Sequence, residues 1–266
     1  MKRVYKVLTI AGSDSGAGAG IQADLKTFAA HGVYGTSAIT AITAQNTRGV
    51  KKIFPLAPGI VAAQVDAIVE DIGADAVKTG MLFNSGIVDI VARKIRAHRL
   101  RNLVVDPVMV AKSGNLLLRR DAIAALKNKL IPLATIVTPN VPEAAELTGI
   151  RLTRMDDFKE AARRIIDMGA KTVVIKGGHR SGPPTDLFYD GKTFREFAAR
   201  RIRTRNTHGT GCTFASAIAA NLAKGMKPEE AVQRAKQYLT RAIEKSYAIG
   251  GGHGPVNHFF EFRKRR

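Results

Sequence analysis

The tetrapeptide Gly209-Thr210-Gly211-Cys212 carries the first sign of chemistry in this chain of 266 residues. A basic, polar stretch ends there, and a small-residue apolar run of helical composition, Thr213 to Ala223, begins. The four residues therefore belong at a helix N-terminus, where unpaired backbone N–H groups and the positive dipole end attract an anion. Glycine lets a phosphate approach the main chain because no Cβ intervenes. Cys212, the single cysteine, falls in the first helical turn, where a lowered pKa and a larger thiolate population are expected. One reading is an anion hole with a base inside it. The other is a cap of small residues with an inert buried cysteine.

Further polar residues stand where apolar runs end. Gln45 closes the β-branched stretch Thr36 to Ala44, and its amide offers the adjacent donor and acceptor needed to read a pyrimidine edge, or a solvated turn. Met81 follows Ala76 to Gly80 and suits either core filling or an apolar wall for a flat ring. Asp106 ends Leu103-Val104-Val105 and precedes Pro107, as a magnesium-side carboxylate or a turn-starting Asp-Pro. Glu143 lies in the first turn of a helix opening at Val141, where the dipole favours a carboxylate even without a metal. Lys176 ends the strand from Lys171, and Gly177-Gly178-His179 after it forms a turn that a nucleotide phosphate would fit, with a solvated strand end as the alternative.

The elements that must position these groups alternate. Val4 to Ala11 reads as a strand, Ile21 to His31 as a helix closed by Gly32, and Pro58 to Ile72 as a helix with Val61, Val65, Ile68, Val69 and Ile72 on one face. Helices are also expected from Ser85 to Arg99, around Asp121 to Leu130, from Asp156 to Met168, and from Pro228 to Ala248. Asp190-Gly191 between apolar runs predicts a β-hairpin over Asp186 to Phe197. The order β-α-β-α predicts one doubly wound, mostly parallel α/β domain over residues 1–266, with that hairpin as a small excursion. Strand carboxyl ends share one edge in such a sheet, so the candidate residues can converge.

Two nucleotide signatures are excluded. Gly18-Ala19-Gly20-Ile21-Gln22-Ala23 satisfies G-x-G-x-x-A, yet no Asp or Glu occurs from Leu25 through Val65 to hold a ribose. No G-x-x-x-x-G-K-[ST] segment exists, so any phosphate transfer uses a non-P-loop site.

Apolar residues make up 45% of the chain, enough for a buried core. One cysteine forms no internal disulfide, and no signal peptide or membrane span is evident, so a soluble cytoplasmic protein is expected. The net charge of +20 comes from scattered clusters: Arg93 to Arg101, Arg119-Arg120, Arg200 to Arg205 and Arg263 to Arg266. Aromatics are few (6%) and no nucleic-acid motif appears, so a nucleic-acid partner is not expected.

The collinear segments Gly20-Ile21-Gln22-Ala23-Asp24-Leu25-Lys26-Thr27-Phe28, Ala44 to Val50, Lys78-Thr79-Gly80-Met81-Leu82, Thr138 to Ala144, Lys176 to His179 and Asn206 to Cys212 together resemble the hydroxymethylpyrimidine/phosphomethylpyrimidine kinases of thiamine biosynthesis, in the ribokinase-like superfamily. The resemblance covers essentially the whole chain. It implies ATP- and magnesium-dependent phosphorylation of 4-amino-5-hydroxymethyl-2-methylpyrimidine and then of its monophosphate, by a homodimer. It implies that Gln45 bonds the aminopyrimidine, with Gly12, Asp24, Met81 and Val108 around the ring. Asp106 and Glu143 would face magnesium, and Asn140, Lys176, Gly177 and Thr207 would lie on the nucleotide side. Gly209, Thr210 and Gly211 would form the anion hole, and Cys212 would take the hydroxymethyl proton in place of the aspartate usual in related sugar kinases. The loop Ser13-Asp14-Ser15-Gly16-Ala17-Gly18 departs from relatives that carry proline and serine after the aspartate. A pyridoxal kinase, or an enzyme doing both, is the near alternative, because pyridoxal also carries a 5-hydroxymethyl group and its aldehyde could form a hemithioacetal with Cys212. The lone cysteine argues against the lid cysteine of some pyridoxal-active relatives. A basic nucleic-acid-binding protein on an old kinase fold is the remote alternative.

Overall fold

The computed structural model describes residues 3–111, 114–179 and 183–262; Lys112, Ser113 and the basic tail Arg263 to Arg266 lie outside them. One nine-stranded sheet organises the described chain. Its strands are β1 (Lys6–Asp14), β2 (Tyr34–Asn46), β3 (Gly49–Pro55), β4 (Ala76–Thr79), β5 (Leu103–Val105), β6 (Ile136–Val137), β7 (Thr172–Ile175), β8 (Asp186–Tyr189) and β9 (Phe194–Phe197). Their spatial order is β3-β2-β1-β4-β5-β6-β7-β8-β9. The run β2-β1-β4-β5-β6-β7 is parallel, and β3, β8 and β9 add antiparallel strands at the two edges. The chain builds outward on one side of β1 and then on the other, so the β1/β4 junction is the switch point where such sheets bind ligands.

Alternation along the strands feeds two cores. Leu8, Ile10, Val77, Val105, Val137 and Ile175 face one side, with α2 (Pro58–Asp71), α3 (Ser85–Ala97), α4 (Arg120–Ala125), α5 (Val141–Thr148) and α6 (Met155–Asp167) packed on them. Val7, Ala76, Val104, Ile136 and Val174 face the other, under α1 (Gly20–Ala30), α7 (Thr210–Ala223) and α8 (Pro228–Glu244). Every residue of α7 from Thr213 to Ala223 is buried. Its alanines let it lie close to the sheet, α1 and α8, which fixes where its N-terminus points.

The doubly wound reading holds, with two differences. The hairpin over Asp186 to Phe197 forms, but it is no excursion: β8 pairs with β7 and extends the main sheet. The edge strand β3 was not expected. Lys51 and Lys52 interrupt its apolar pattern, as edge strands often do, and weaken the period-2 signal.

Candidate functional site

Gly209 caps α7 with φ +79°, and a Cβ there would lie 1.8 Å from the Gly18 carbonyl oxygen. Only glycine permits this approach, which draws the loop after β1 against the start of α7. Among the described residues no carbonyl pairs with the N–H of Gly211 or Cys212, and both residues line the cavity in front of the helix. A Cβ on Gly211 would lie 3.6 Å from Lys176 Nζ and 3.7 Å from Asp106 Oδ2. The bare backbone therefore leaves open the space between the helix dipole and these charged groups.

Lys176 Nζ donates to Asp106 Oδ1 at 2.8 Å and lies 3.8 Å from Glu143 Oε2. Thr138 Oγ1 also donates to Asp106 Oδ1, at 3.1 Å. Glu143 and Asn140 form a reciprocal cap on α5: Asn140 N donates to Glu143 Oε2 at 2.7 Å, and Glu143 N donates to Asn140 Oδ1 at 2.9 Å. The carboxylate that caps α5 thus also borders the cavity. Burial pushes Glu143 up to about 7, with the Asp106 charge adding to burial and the Lys176 ammonium opposing both. Burial also works against the Lys176 charge, but Asp106 and then Glu143 hold its pKa above the ordinary lysine value.

Asp24, expected beside the ring, does not reach the cavity. Its carboxylate is fully buried and accepts from Lys78 Nζ at 2.8 and 3.0 Å, Thr9 Oγ1 at 2.6 Å and Ser216 Oγ at 2.7 Å. Lys78 borders the cavity with Asp24 behind it, and the pair ties α1, β1, β4 and α7 together. Burial opposes the Lys78 charge, but Asp24 foremost keeps it protonated. Gly177 is a second correction: its N–H donates to Asp186 Oδ1 at 2.9 Å and Thr185 packs over its Cα, so Gly178 lines the cavity instead.

The expected lowering of the Cys212 pKa does not occur. Burial pushes the thiol up to about 11; Lys78 opposes this, while Asp24 and Asp106 add to it. The helix N-terminus is outweighed by desolvation and two carboxylates.

The Gln45 end of the site holds groups whose roles the sequence did not disclose. A register shift between Ala44 and Gln45 bends β2 and aims Gln45 inward. Its amide lies between Thr43 Oγ1, 3.2 Å from Oε1, and His208 Nε2, 3.3 Å from Nε2. His208 Nε2 is also 2.8 Å from Asp14 Oδ2. Asp14 accepts from the N–H groups of Gly16, Gly18 and Ala19 at 2.8, 3.1 and 2.8 Å, which orders the loop without a proline. Burial alone would raise Asp14, but the His208 hydrogen bond and these N–H groups more than offset it and leave the carboxyl below its ordinary value. His208 stands inside the Asn206 to Cys212 motif and Asp14 inside the first loop; their separation of 194 residues hid the pairing.

One cavity of about 950 Å³ joins these groups. Gly12, Gln45, Met81, Val108, Asp106, Asn140, Glu143, Lys176, Thr207, Gly209, Thr210, Gly211 and Cys212 all line it. Its far end runs between the segment Ala199 to Ile202 and the α8 residues Lys236, Leu239, Thr240 and Ile243. Of the expected basic clusters, Arg120, Arg200 and Arg201 reach its wall.

Residues 14–257 match the family described as Phosphomethylpyrimidine kinase. The hydroxymethylpyrimidine/phosphomethylpyrimidine kinase of Bacillus subtilis (strain 168) is 51% identical over 258 residues, covering 96% of this chain and 95% of the relative. The thiamine biosynthesis bifunctional protein ThiED of Geobacter sulfurreducens is 54% identical over 253 residues, 95% of this chain. The match spans only 52% of that relative, about half its length. Among solved structures, an ADP complex of Bacillus subtilis pyridoxal kinase superposes with a TM-score of 0.90 at 44% identity, covering 96% of this chain and 98% of the other.

Proposed function

The chain belongs to the phosphomethylpyrimidine kinase family, with its ribokinase-like fold, and from that premise we propose that this phosphotransferase uses ATP and magnesium to phosphorylate 4-amino-5-hydroxymethyl-2-methylpyrimidine and then its monophosphate, for thiamine biosynthesis. The observation that carries the reading is the continuity of one cavity from the Gln45 amide, past Cys212 and the α7 N-terminus, to Lys176 and the α8 wall. A flat ring fits against Gly12, Met81 and Val108, with its hydroxymethyl group toward Cys212. The transferred phosphoryl group then lies before Gly209, Thr210 and Gly211. Phosphoryl transfer needs mostly alignment and charge stabilisation, which these N–H groups and Lys176 supply. The nucleoside would occupy the far end, against Ile202, Leu239 and Ile243, with Asn140 and Thr207 nearer its phosphates.

Asp106 and Glu143 offer hard oxygens that suit magnesium, an ion usually held by one or two carboxylates together with phosphate oxygens. Two buried carboxylates served by one lysine, with Glu143 raised to about 7, also leave room for a second cation. Magnesium there would neutralise charge developing on the phosphates. Cys212 takes the hydroxymethyl proton through the minor thiolate population that its raised pKa allows. The second acceptor is already a phosphate and needs little base.

The whole chain is read as one kinase domain working as a cytoplasmic homodimer, without a nucleic-acid or membrane partner. Ile42 and Phe54, paired across β2 and β3 and 51% and 67% exposed, form an apolar patch on the sheet edge suited to a second copy. Among the described residues no helix is long and apolar enough to cross a membrane. Sedimentation velocity tests the dimer. The function is tested by ATP turnover with magnesium, using the pyrimidine alcohol, its monophosphate and pyridoxal as parallel acceptors. Turnover of both pyrimidines with pyridoxal poor is expected. Pyridoxal equal or better would move the activity to a pyridoxal or dual kinase, and no turnover by folded protein would sink the reading.

A further inference from the structure

The ring end contains a proton-counting problem whose solution bears on which ring the cavity accepts. Thr43 has one hydroxyl proton and two neighbours, the Ser13 carbonyl oxygen at 2.9 Å and the Gln45 amide at 3.2 Å. The carbonyl can only accept, so it takes the proton, and Thr43 Oγ1 must accept from the amide. His208 Nε2 faces the ionised Asp14 carboxylate at 2.8 Å, another group that can only accept. Nε2 therefore carries a proton whether the imidazole is neutral or charged. That proton is directed at Asp14, so Nε2 has no lone pair to accept from Gln45 and can only share its N–H with the amide carbonyl. Both neighbours demand the same answer: the amide NH₂ belongs beside Thr43 and the carbonyl oxygen beside His208. This reverses the arrangement with Oε1 at Thr43, which would set two N–H donors against each other at 3.3 Å.

We infer that Asp14, through His208, and Ser13, through Thr43, lock the Gln45 amide in one orientation, and that this lock selects an aminopyrimidine over a pyridoxal ring. The inference rests on the reading above, in which Gln45 faces the substrate. The amide has one free N–H and one free carbonyl lone pair left after serving its two neighbours. We place the hydroxymethyl group toward Cys212, as in the reading above, and the ring substituent next to it on the His208 side of the amide. In the pyrimidine that substituent is an amino group, which donates to the locked carbonyl oxygen, and the adjacent ring nitrogen accepts from the amide N–H. In pyridoxal the same positions hold an aldehyde oxygen and a hydroxyl. The aldehyde would set an acceptor against the locked acceptor, and only a reversed amide would suit it. His208 and Thr43 are thus positioning residues that act through Gln45.

The test is the ratio of kcat/KM for the pyrimidine alcohol to that for pyridoxal, in the folded full-length enzyme. His208→Phe keeps a ring but removes the donor, and Thr43→Val removes the acceptor at the opposite end. Each is expected to lower the ratio at least about tenfold, the discrimination of roughly one matched hydrogen bond, chiefly by raising KM for the pyrimidine. His208→Gln, which restores an N–H donor, should recover part of the ratio. Equal losses for both substrates in Thr43→Val and His208→Phe, leaving the ratio unchanged, would overturn the lock. Should His208→Phe fail to fold, Thr43→Val carries the decision alone. Gln45→Ala separates the two levels: if it leaves the pyrimidine KM unchanged, the placement of the substrate at Gln45 is wrong, whereas a raised KM with an unmoved ratio in the other variants condemns only the lock.

Discussion

Two lysine–aspartate pairs flank α7, and their shortest contacts are identical: Lys78–Asp24 and Lys176–Asp106 both close to 2.8 Å. Their surroundings differ. The side chains of the first pair are 0% exposed, and Thr9 and Ser216 satisfy the remaining carboxylate positions. The second keeps 16% of the lysine open to the cavity, and Glu143 lies 3.8 Å from the same Nζ. Lys78 borders the cavity, but a fully buried pair with balanced charge has little left to offer a ligand. An open lysine shared by two carboxylates can exchange one partner for a phosphate. Ion-pair geometry alone therefore says nothing of role; access and leftover charge decide it.

The comparison can be broken most strongly at Lys176. Lys176→Met is expected to lower kcat about 10³–10⁵-fold, the range for removing a cation that stabilises a transferring phosphoryl group, while the protein stays folded by circular dichroism. Lys78→Met should do the opposite. It leaves Asp24 buried without its cation, at a cost of about 3–5 kcal/mol of stability, with turnover of the monophosphate, which needs little base, largely kept per folded molecule. Urea denaturation alongside active-site titration would show this. A catalytic loss in Lys78→Met with the denaturation midpoint unchanged would mean that the sealed pair takes part in the chemistry.

Cys212 lies between the two pairs and sharpens the contrast further. Cys212→Ala is expected to slow the alcohol step about 10²-fold, within the usual range for losing a general base, and to affect the monophosphate step much less. Equal losses in both steps would replace the base by a positioning role. A smaller effect follows from the raised pKa. The thiolate is the active form, and the thiol titrates near 11, so its population grows with pH throughout the neutral range. The alcohol step and iodoacetamide labelling of the single cysteine should both accelerate from pH 6 to pH 9 by about tenfold per unit. A plateau below pH 8 would show that the thiol is far more acidic than its surroundings imply.

The contrast also explains what was legible in the sequence. Asp106, Glu143 and Lys176 stand at the ends of apolar runs, next to proline or glycine, and strand-end logic places all three on one edge. Gly209 to Cys212 were readable because a composition break marks the helix start. Asp24 was misplaced, because its partner Lys78 lies 54 residues away inside a strand, where a lysine gives no local sign of being buried. The effect of burial on Cys212 was invisible for the same reason: the helix terminus is local, whereas Asp24 and Asp106 arrive through the fold. The His208 contact with Asp14 and Gln45 joins two distant segments, so the motif showed the histidine but not its task. The strand β3 escaped because edge strands carry the charges that blur alternation.

The central claim is that the cavity before α7 moves the terminal phosphoryl group of ATP onto a hydroxymethyl oxygen. Phosphorus NMR of wild-type enzyme with magnesium, the aminopyrimidine alcohol and ATP labelled with ¹⁸O in its terminal phosphoryl group tests it most directly. The labelled phosphoryl group should appear first as an ester on the hydroxymethyl oxygen and then within a diphosphate. Labelled inorganic phosphate with no ester, or an ester formed only when pyridoxal is supplied instead, would contradict the account.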